Sequence, residues 1–129
     1  MQHLVILGAG TAGAIMANRL QAAIGRDDWK ITIVDRESRH YYQPGFLFMP
    51  FGIYQPRDVH RRIDQPLPPG VNHIQCGVET INAEQSTITL GDGLELRYDY
   101  LVIATGCTPR PEETAGLVGP GWGQQIFEF

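Results

Sequence analysis

The first hydrophobic positions of the chain form a short unbroken run, His3 to Leu7, rich in β-favouring residues. That is the pattern of a strand buried on both faces of a parallel sheet. Glycines follow at once. From Thr11 to Ile24 the apolar residues Ala12, Ile15, Met16, Leu20, Ala23 and Ile24 recur at helical spacing, while Asn18, Arg19 and Gln21 fall elsewhere, so the segment reads as an amphipathic helix. Gly25 suits its C-terminal cap, and Arg26, Asp27 and Asp28 make a polar turn into a second strand, Lys30 to Val34. Strand, helix and strand make one βαβ unit.

Residues 35–70 carry most of the prolines and no long period, which predicts a functional connection with one short helix around Arg57 to Ile63. A third strand is predicted at His73 to Cys76, followed by short strands at Val78 to Ile81 and Thr87 to Leu90. The pair Asp92-Gly93, set between the alternating ITL and LEL, signals a tight hairpin turn with positive φ angles and hence a small antiparallel meander. Tyr100 to Ala104 is a last near-continuous apolar strand, ending in Thr105-Gly106. Beyond it the glycines and prolines from Pro109 to Gly123 read as an irregular linker.

A length of 129 residues with 43% hydrophobic positions suffices for one domain with a real core. Ten Lys and Arg against 14 Asp and Glu leave a formal charge of −4. Such a surface has no broad electropositive field, so nucleic acid is not an expected partner. Cys76 and Cys107 are too far apart in sequence for a CxxC pair, a metal cluster or a disulfide framework. No run approaches the roughly 18 apolar residues of a membrane-spanning helix, and MQHLVILGAG lacks the basic start and cleavage pattern of a signal peptide. The first apolar run is therefore assigned to the fold.

Gly8-Ala9-Gly10-Thr11-Ala12-Gly13 is a G-x-G-x-x-G sequence. With 15 glycines in 129 residues, such a pattern arises by chance in about one chain in five, so its weight comes from context. It opens directly after a buried-type strand and runs into a helix. There Gly8 permits the tight turn, Gly10 lets the main chain approach a pyrophosphate, and Gly13 lets helix and strand pack closely. The helix N-terminus adds free N–H groups and about half a positive charge. Asp35, 22 residues beyond Gly13 at the end of the second strand, is placed to accept both hydroxyls of an adenosine ribose and to repel a 2′-phosphate. The alternative for Asp35 is an ion pair with Arg36 or Arg39, and Arg36 leaves an opening for NADP. The glycine turn alone fits NAD and FAD alike.

The segment Tyr98 to Gly106, YDYLVIATG, a hydrophobic strand ending in ATG and reached through a meander, resembles the second flavin motif of the glutathione reductase-like flavoproteins with two dinucleotide domains. Within that group the chain most resembles the sulfide:quinone oxidoreductases. The resemblance runs through VILGAGTAG, Tyr41-Tyr42-Gln43-Pro44, ITLGDGLELRYDYLVIATG, and a tail like Pro111-Glu112-Glu113-Thr114 with Gly119-Pro120-Gly121-Trp122. It is tight at residues 3–35 and 87–106 and loose at 45–75. Flavocytochrome c sulfide dehydrogenases and type II NADH dehydrogenases share the same FAD motifs.

The resemblance implies an α/β, Rossmann-like FAD-binding domain with a parallel sheet and a small antiparallel β-meander, incomplete here. Residues 1–108 would be the N-terminal part of a discontinuous FAD-binding domain and 109–129 a linker toward a second domain. It further implies pyrophosphate contacts from Gly8, Gly10, Thr11, Ala12 and Gly13, and ribose contacts from Asp35 with Arg36 near the adenosine. Val78 would meet the adenine through its backbone, Pro44 would approach the flavin, and Ala104, Thr105 and Gly106 would line the cofactor from the other side. Sulfide and quinone are the implied substrates, with a peripheral seat on the cell membrane through C-terminal elements.

Two family features are missing: the late strand ending in Gly-Asp beside the flavin, and the redox cysteines of later sequence. The only Gly-Asp here is Gly91-Asp92, in the hairpin. No catalytic residue is therefore assigned. Cys107 is the nearest candidate for a redox role, against a plain turn residue, and Cys76 reads as a buried strand residue. His60-Arg61-Arg62 reads as a solvated helix face rather than a contact to a quinone headgroup. Tyr41, Tyr42, Phe46, Phe48 and Phe51 fit either a wall near the flavin or core packing. His3 and His73 need no special role. These residues alone are expected to be inactive, to bind FAD weakly or not at all, and to self-associate through an unpaired sheet edge. A type II NADH dehydrogenase and a non-catalytic NAD-binding module are the competing readings.

Overall fold

A computed structural model describes residues 1–24 and 27–119. In chain order the elements are β1 (Gln2–Leu7), α1 (Thr11–Ala23), β2 (Trp29–Asp35), β3 (Arg39–Tyr41), α2 (Gln43–Phe46), β4 (His60–Arg62), β5 (Val71–Gln75), β6 (Val78–Asn82), β7 (Thr87–Leu90), β8 (Glu95–Arg97) and β9 (Tyr100–Ile103). Single 3-10 turns lie at Met49–Phe51, Pro56–Asp58 and Pro111–Glu113.

Four strands form a parallel sheet in the order β5-β2-β1-β9. Alternate residues of β1 serve opposite faces, which is why its sequence reads as a continuous apolar run. Leu4 and Ile6 join Ile31, Ile33 and Ala17 of α1 in one cluster; Val5 and Leu7 join Val34, Ile88 and Leu90 in another. Ile88 and Leu90 are fully buried, and at about 1.5–3 kcal/mol each they hold the three-stranded meander β6-β7-β8 against the sheet.

Three expectations need correction. The buried face of α1 is Gly13, Ala14 and Ala17, with Met16, Leu20 and Ile24 only flanking it and Ile15 half-exposed. The helix sits too close to the sheet for large side chains at the contact. The proposed helix at Arg57 to Ile63 is instead the turn Pro56–Asp58 and the strand β4, antiparallel to β3. Val59 and Ile63 are both buried, and a spacing of four marks one face of a strand as well as of a helix. The basic triplet His60-Arg61-Arg62 thus lies on a strand. Finally, the hairpin at Asp92-Gly93 is longer than a two-residue turn. Only Gly93 has positive φ (85°), and Asp92 Oδ1 accepts the Leu94 N–H at 3.0 Å. Gly25 and Arg26, and residues 120–129 of the expected linker, lie outside the described residues.

His3 ties the two sheets together. Its Nδ1–H donates to the Arg97 carbonyl at 2.7 Å, and its Nε2 meets Oγ1 of fully buried Thr32 at 2.8 Å. Its main chain exchanges bonds with Asp99, N–H to Oδ2 at 2.6 Å and carbonyl to the Asp99 N–H at 2.8 Å. Burial pushes the imidazole below its ordinary 6.5; the Arg97 carbonyl opposes this, Lys30 adds to it and Asp99 opposes it. The folded state therefore favours neutral His3, and the unfolded chain takes up the proton first on acidification. The resulting stability is complete above the unfolded value and is lost as pH falls below it. Thermal unfolding followed from about pH 7 to about pH 5 should show a declining midpoint, and His3→Asn should flatten that decline. An unchanged slope in the variant would assign the pH dependence to other groups.

Candidate functional site

Parallel strands place their carboxyl ends together, and β1, β2 and β9 deliver Gly8, Asp35 and Ala104 to one end of the sheet. Gly8 has φ +97°, its N–H donates to the Val34 carbonyl at 2.7 Å, and any Cβ on it would overlap the Ala104 carbonyl. A Cβ on Gly13 would overlap the Gly8 carbonyl. Both glycines are thus demanded by the protein itself. Gly10 is different. Its φ of −66° suits any residue, and nothing lies within 4 Å of where its Cβ would be. The fold gives no steric reason for a glycine there, only the mild preference of a helix N-cap, whereas a group lying against the main chain gives a strong one. Gly10 is also the residue before α1, without a side-chain cap and with no acidic residue in the first turn. The first-turn N–H groups of a helix lack intrahelical acceptors and favour an anion.

Asp35 faces this turn. Oδ2 accepts the Ala9 N–H at 2.6 Å and Oδ1 the Glu37 N–H at 2.9 Å. Arg36 pairs with Glu37 at 3.2 Å, so the described ion pairs leave the Asp35 carboxylate to the turn. Two adjoining clefts, of about 340 and 450 Å³, share Gly8, Asp35, Arg36, Thr105, Gly106 and Cys107. The first runs on to Gly77 and Val78; the second runs to Gly10, Thr11, Ala12 and Ala104. Of the residues singled out from sequence, Gly13 and Pro44 do not line these walls. Gly13 is buried between helix and turn, and Gln43 stands on the wall beside exposed Pro44.

Two features of the wall were not foreseen from sequence, the meeting of the two cysteines and the place of His40. Cys76 and Cys107, distant in sequence, line the same cleft, since they follow β5 and β9, the outer strands of the sheet. Cys76 follows its strand and is half-buried rather than enclosed within it. His40, in β3, lines the second cleft and places Nδ1 3.0 Å from the Ala9 carbonyl. Beyond the cleft, Tyr42, Phe51 and Leu47 are exposed, with Phe46 half-buried beside Tyr41. That aromatic group is a surface feature more than core packing. Among the described residues no helix is long and apolar enough to cross a membrane.

A parallel sheet in this order, with a glycine turn over the strand ends, defines a Rossmann-like α/β unit of the dinucleotide-binding type. The sequence profile of the pyridine nucleotide-disulphide oxidoreductases spans residues 2–127, and the chain belongs to that family. It is 32% identical over 115 residues to the mitochondrial sulfide:quinone oxidoreductase of Mus musculus, covering 89% of this chain and 25% of that protein. The structure of sulfide:quinone oxidoreductase from Aquifex aeolicus superposes with a TM-score of 0.72 at 30% identity, over 82% of this chain and 24% of that one. The type II NADH:quinone oxidoreductase of Staphylococcus aureus is 28% identical over 119 residues, 92% of this chain and 29% of that protein. The chain thus spans about a quarter of the length of these relatives.

Proposed function

We propose that this chain is the N-terminal FAD-binding portion of a flavin-dependent sulfide:quinone oxidoreductase, passing electrons from sulfide through a cysteine/FAD site to quinone. The observation that carries the reading is Gly10, a glycine that no neighbouring protein atom requires, in a turn faced by the Asp35 carboxylate. Relatives at about 30% identity named for sulfide and quinone support the choice of substrates. FAD, when bound, supplies a two-electron carrier. The residues of this chain bind and orient it. Gly10, Thr11 and Ala12 present main-chain N–H groups to the pyrophosphate. Asp35 accepts from the ribose hydroxyls, and Arg36 lies beside the adenosine. Val78 offers its backbone to the adenine. Ala104, Thr105 and Gly106 form the opposite wall, and Gly106, with nothing within 4 Å of a Cβ, leaves room there. Pro44 stands toward the flavin end with Gln43. A peripheral place on a membrane belongs to the same proposal.

The second reading, a type II NADH:quinone oxidoreductase, is favoured by the wider coverage of that relative. Electron donor separates the two. The complete gene product is expected to be yellow, to reduce a soluble quinone with sulfide, and to leave NADH untouched. Quinone reduction by NADH and not by sulfide would replace the first reading with the second, and NAD binding without flavin would remove both.

A further inference from the structure

We infer that His40 is a positioning residue for the glycine turn; the inference rests on the reading that this cleft takes FAD. Ala9 is fully buried, so both of its main-chain polar groups need partners inside the protein. Both partners are side chains. The N–H donates to Asp35 Oδ2 at 2.6 Å, and the carbonyl accepts from His40 Nδ1 at 3.0 Å. The two groups belong to different peptide units, the first to Gly8–Ala9 and the second to Ala9–Gly10. Each unit is planar and trans, so one bond to each settles which way both units face.

The Ala9–Gly10 unit leads straight into α1, where the Ala14 N–H donates to the Gly10 carbonyl at 2.9 Å. Holding that unit therefore sets the direction of the Gly10 N–H, which lies in the same plane as the Ala9 carbonyl and opposite to it, at the point where the chain enters the helix. A carbonyl only accepts, so Nδ1 carries the proton in this bond. The ribbon of β3 and β4 explains how the ring is held there. His40 is the middle residue of β3, opposite Arg61, and β4 is flanked by Val59 and Ile63, only 2% and 4% exposed. The Tyr42 N–H donates to the Val59 carbonyl at 2.8 Å, closing the ribbon onto this anchor. A three-residue strand with no long period thus delivers a donor to the turn.

The test uses the complete gene product, freed of flavin, with FAD as probe, in wild-type form and as His40→Leu, His40→Gln and His40→Asn. An Asn amide N–H falls near the position of Nδ1, whereas a Gln amide falls near Nε2. The dissociation constant for FAD should rise about tenfold in the Leu and Gln variants, the factor that about 1.4 kcal/mol carries, and should stay near the wild-type value in the Asn variant. Unfolding of the flavin-free proteins supplies the control, since a merely structural role would lower the midpoint of the Leu and Gln variants while leaving their dissociation constants for FAD at the wild-type value. Wild-type protein that takes up no FAD overturns the reading of the cleft. Wild-type binding with all three variants unchanged, or with Asn as weak as Leu, overturns the role of His40 alone.

Discussion

Gly10→Val is expected to leave the fold standing and to weaken cofactor binding about a hundredfold. The backbone at Gly10 sits at φ −66° and ψ −165°, an extended conformation open to valine, and no protein atom lies within 4 Å of the new Cβ. The folded state should lose only the difference between a glycine and a valine before a helix, about 1 kcal/mol. The side chain would instead project into the cleft of about 450 Å³, between the main chain and the diphosphate proposed to lie against it. Forcing a bound group off by even part of a van der Waals radius costs about 3 kcal/mol, close to a hundredfold in affinity. Flavin content of the purified complete protein, read from its absorbance beside a melt of the flavin-free form, checks both halves. Stoichiometric flavin in the variant would mean that Gly10 is not where the cofactor passes.

The glycine turn was readable from sequence because three independent requirements converge there. A run such as LVIL has no solvent face, Gly8 must adopt positive φ, and Gly13 must admit a neighbouring carbonyl. Each leaves a mark on residue type. The meander was readable for a similar reason, since ITL and LEL alternate and Gly93 takes the one positive φ that the turn needs. Residues 36–70 left no such marks. β3 and β4 are three residues each, too short for a period, and their pairing is set by contacts distant in sequence. Val59 and Ile63, spaced by four, satisfy helix and strand alike. In α1 the apolar stripe pointed to the large residues, yet Gly13, Ala14 and Ala17 make the contact.

The site follows the same division. Asp35 could be found because it ends a strand at a fixed distance from the glycines, so its placement comes with the βαβ unit. His40 could not, because its bond to Ala9 depends on how an irregular connection folds back. Cys76 and Cys107 came together only through the strand order, which puts β5 and β9 at the two edges of the sheet while one cleft spans their ends.

Gly13→Ala tests the protein's side of the same motif and should behave in the opposite way to Gly10→Val. In an unconstrained helix the exchange would stabilise by about 1 kcal/mol. Here the added Cβ overlaps the Gly8 carbonyl, a main-chain atom, with Ile33 Cδ1 at 3.5 Å behind it. Gly8 has little freedom to yield, since its N–H is bound to Val34 and β9 crowds its other side. The helix must lift instead, loosening Ala14 and Ala17 from β1 and β2. Overpacking of this kind costs about 3 kcal/mol and outweighs the propensity gain. The net loss, about 2 kcal/mol, is a large share of the 5–15 kcal/mol that holds a domain together. It should appear as a lower unfolding midpoint of the complete protein without flavin, a drop about twice that of Gly10→Val under the same condition. A flavin-free midpoint at or above wild type would show that helix and turn are farther apart than this packing requires.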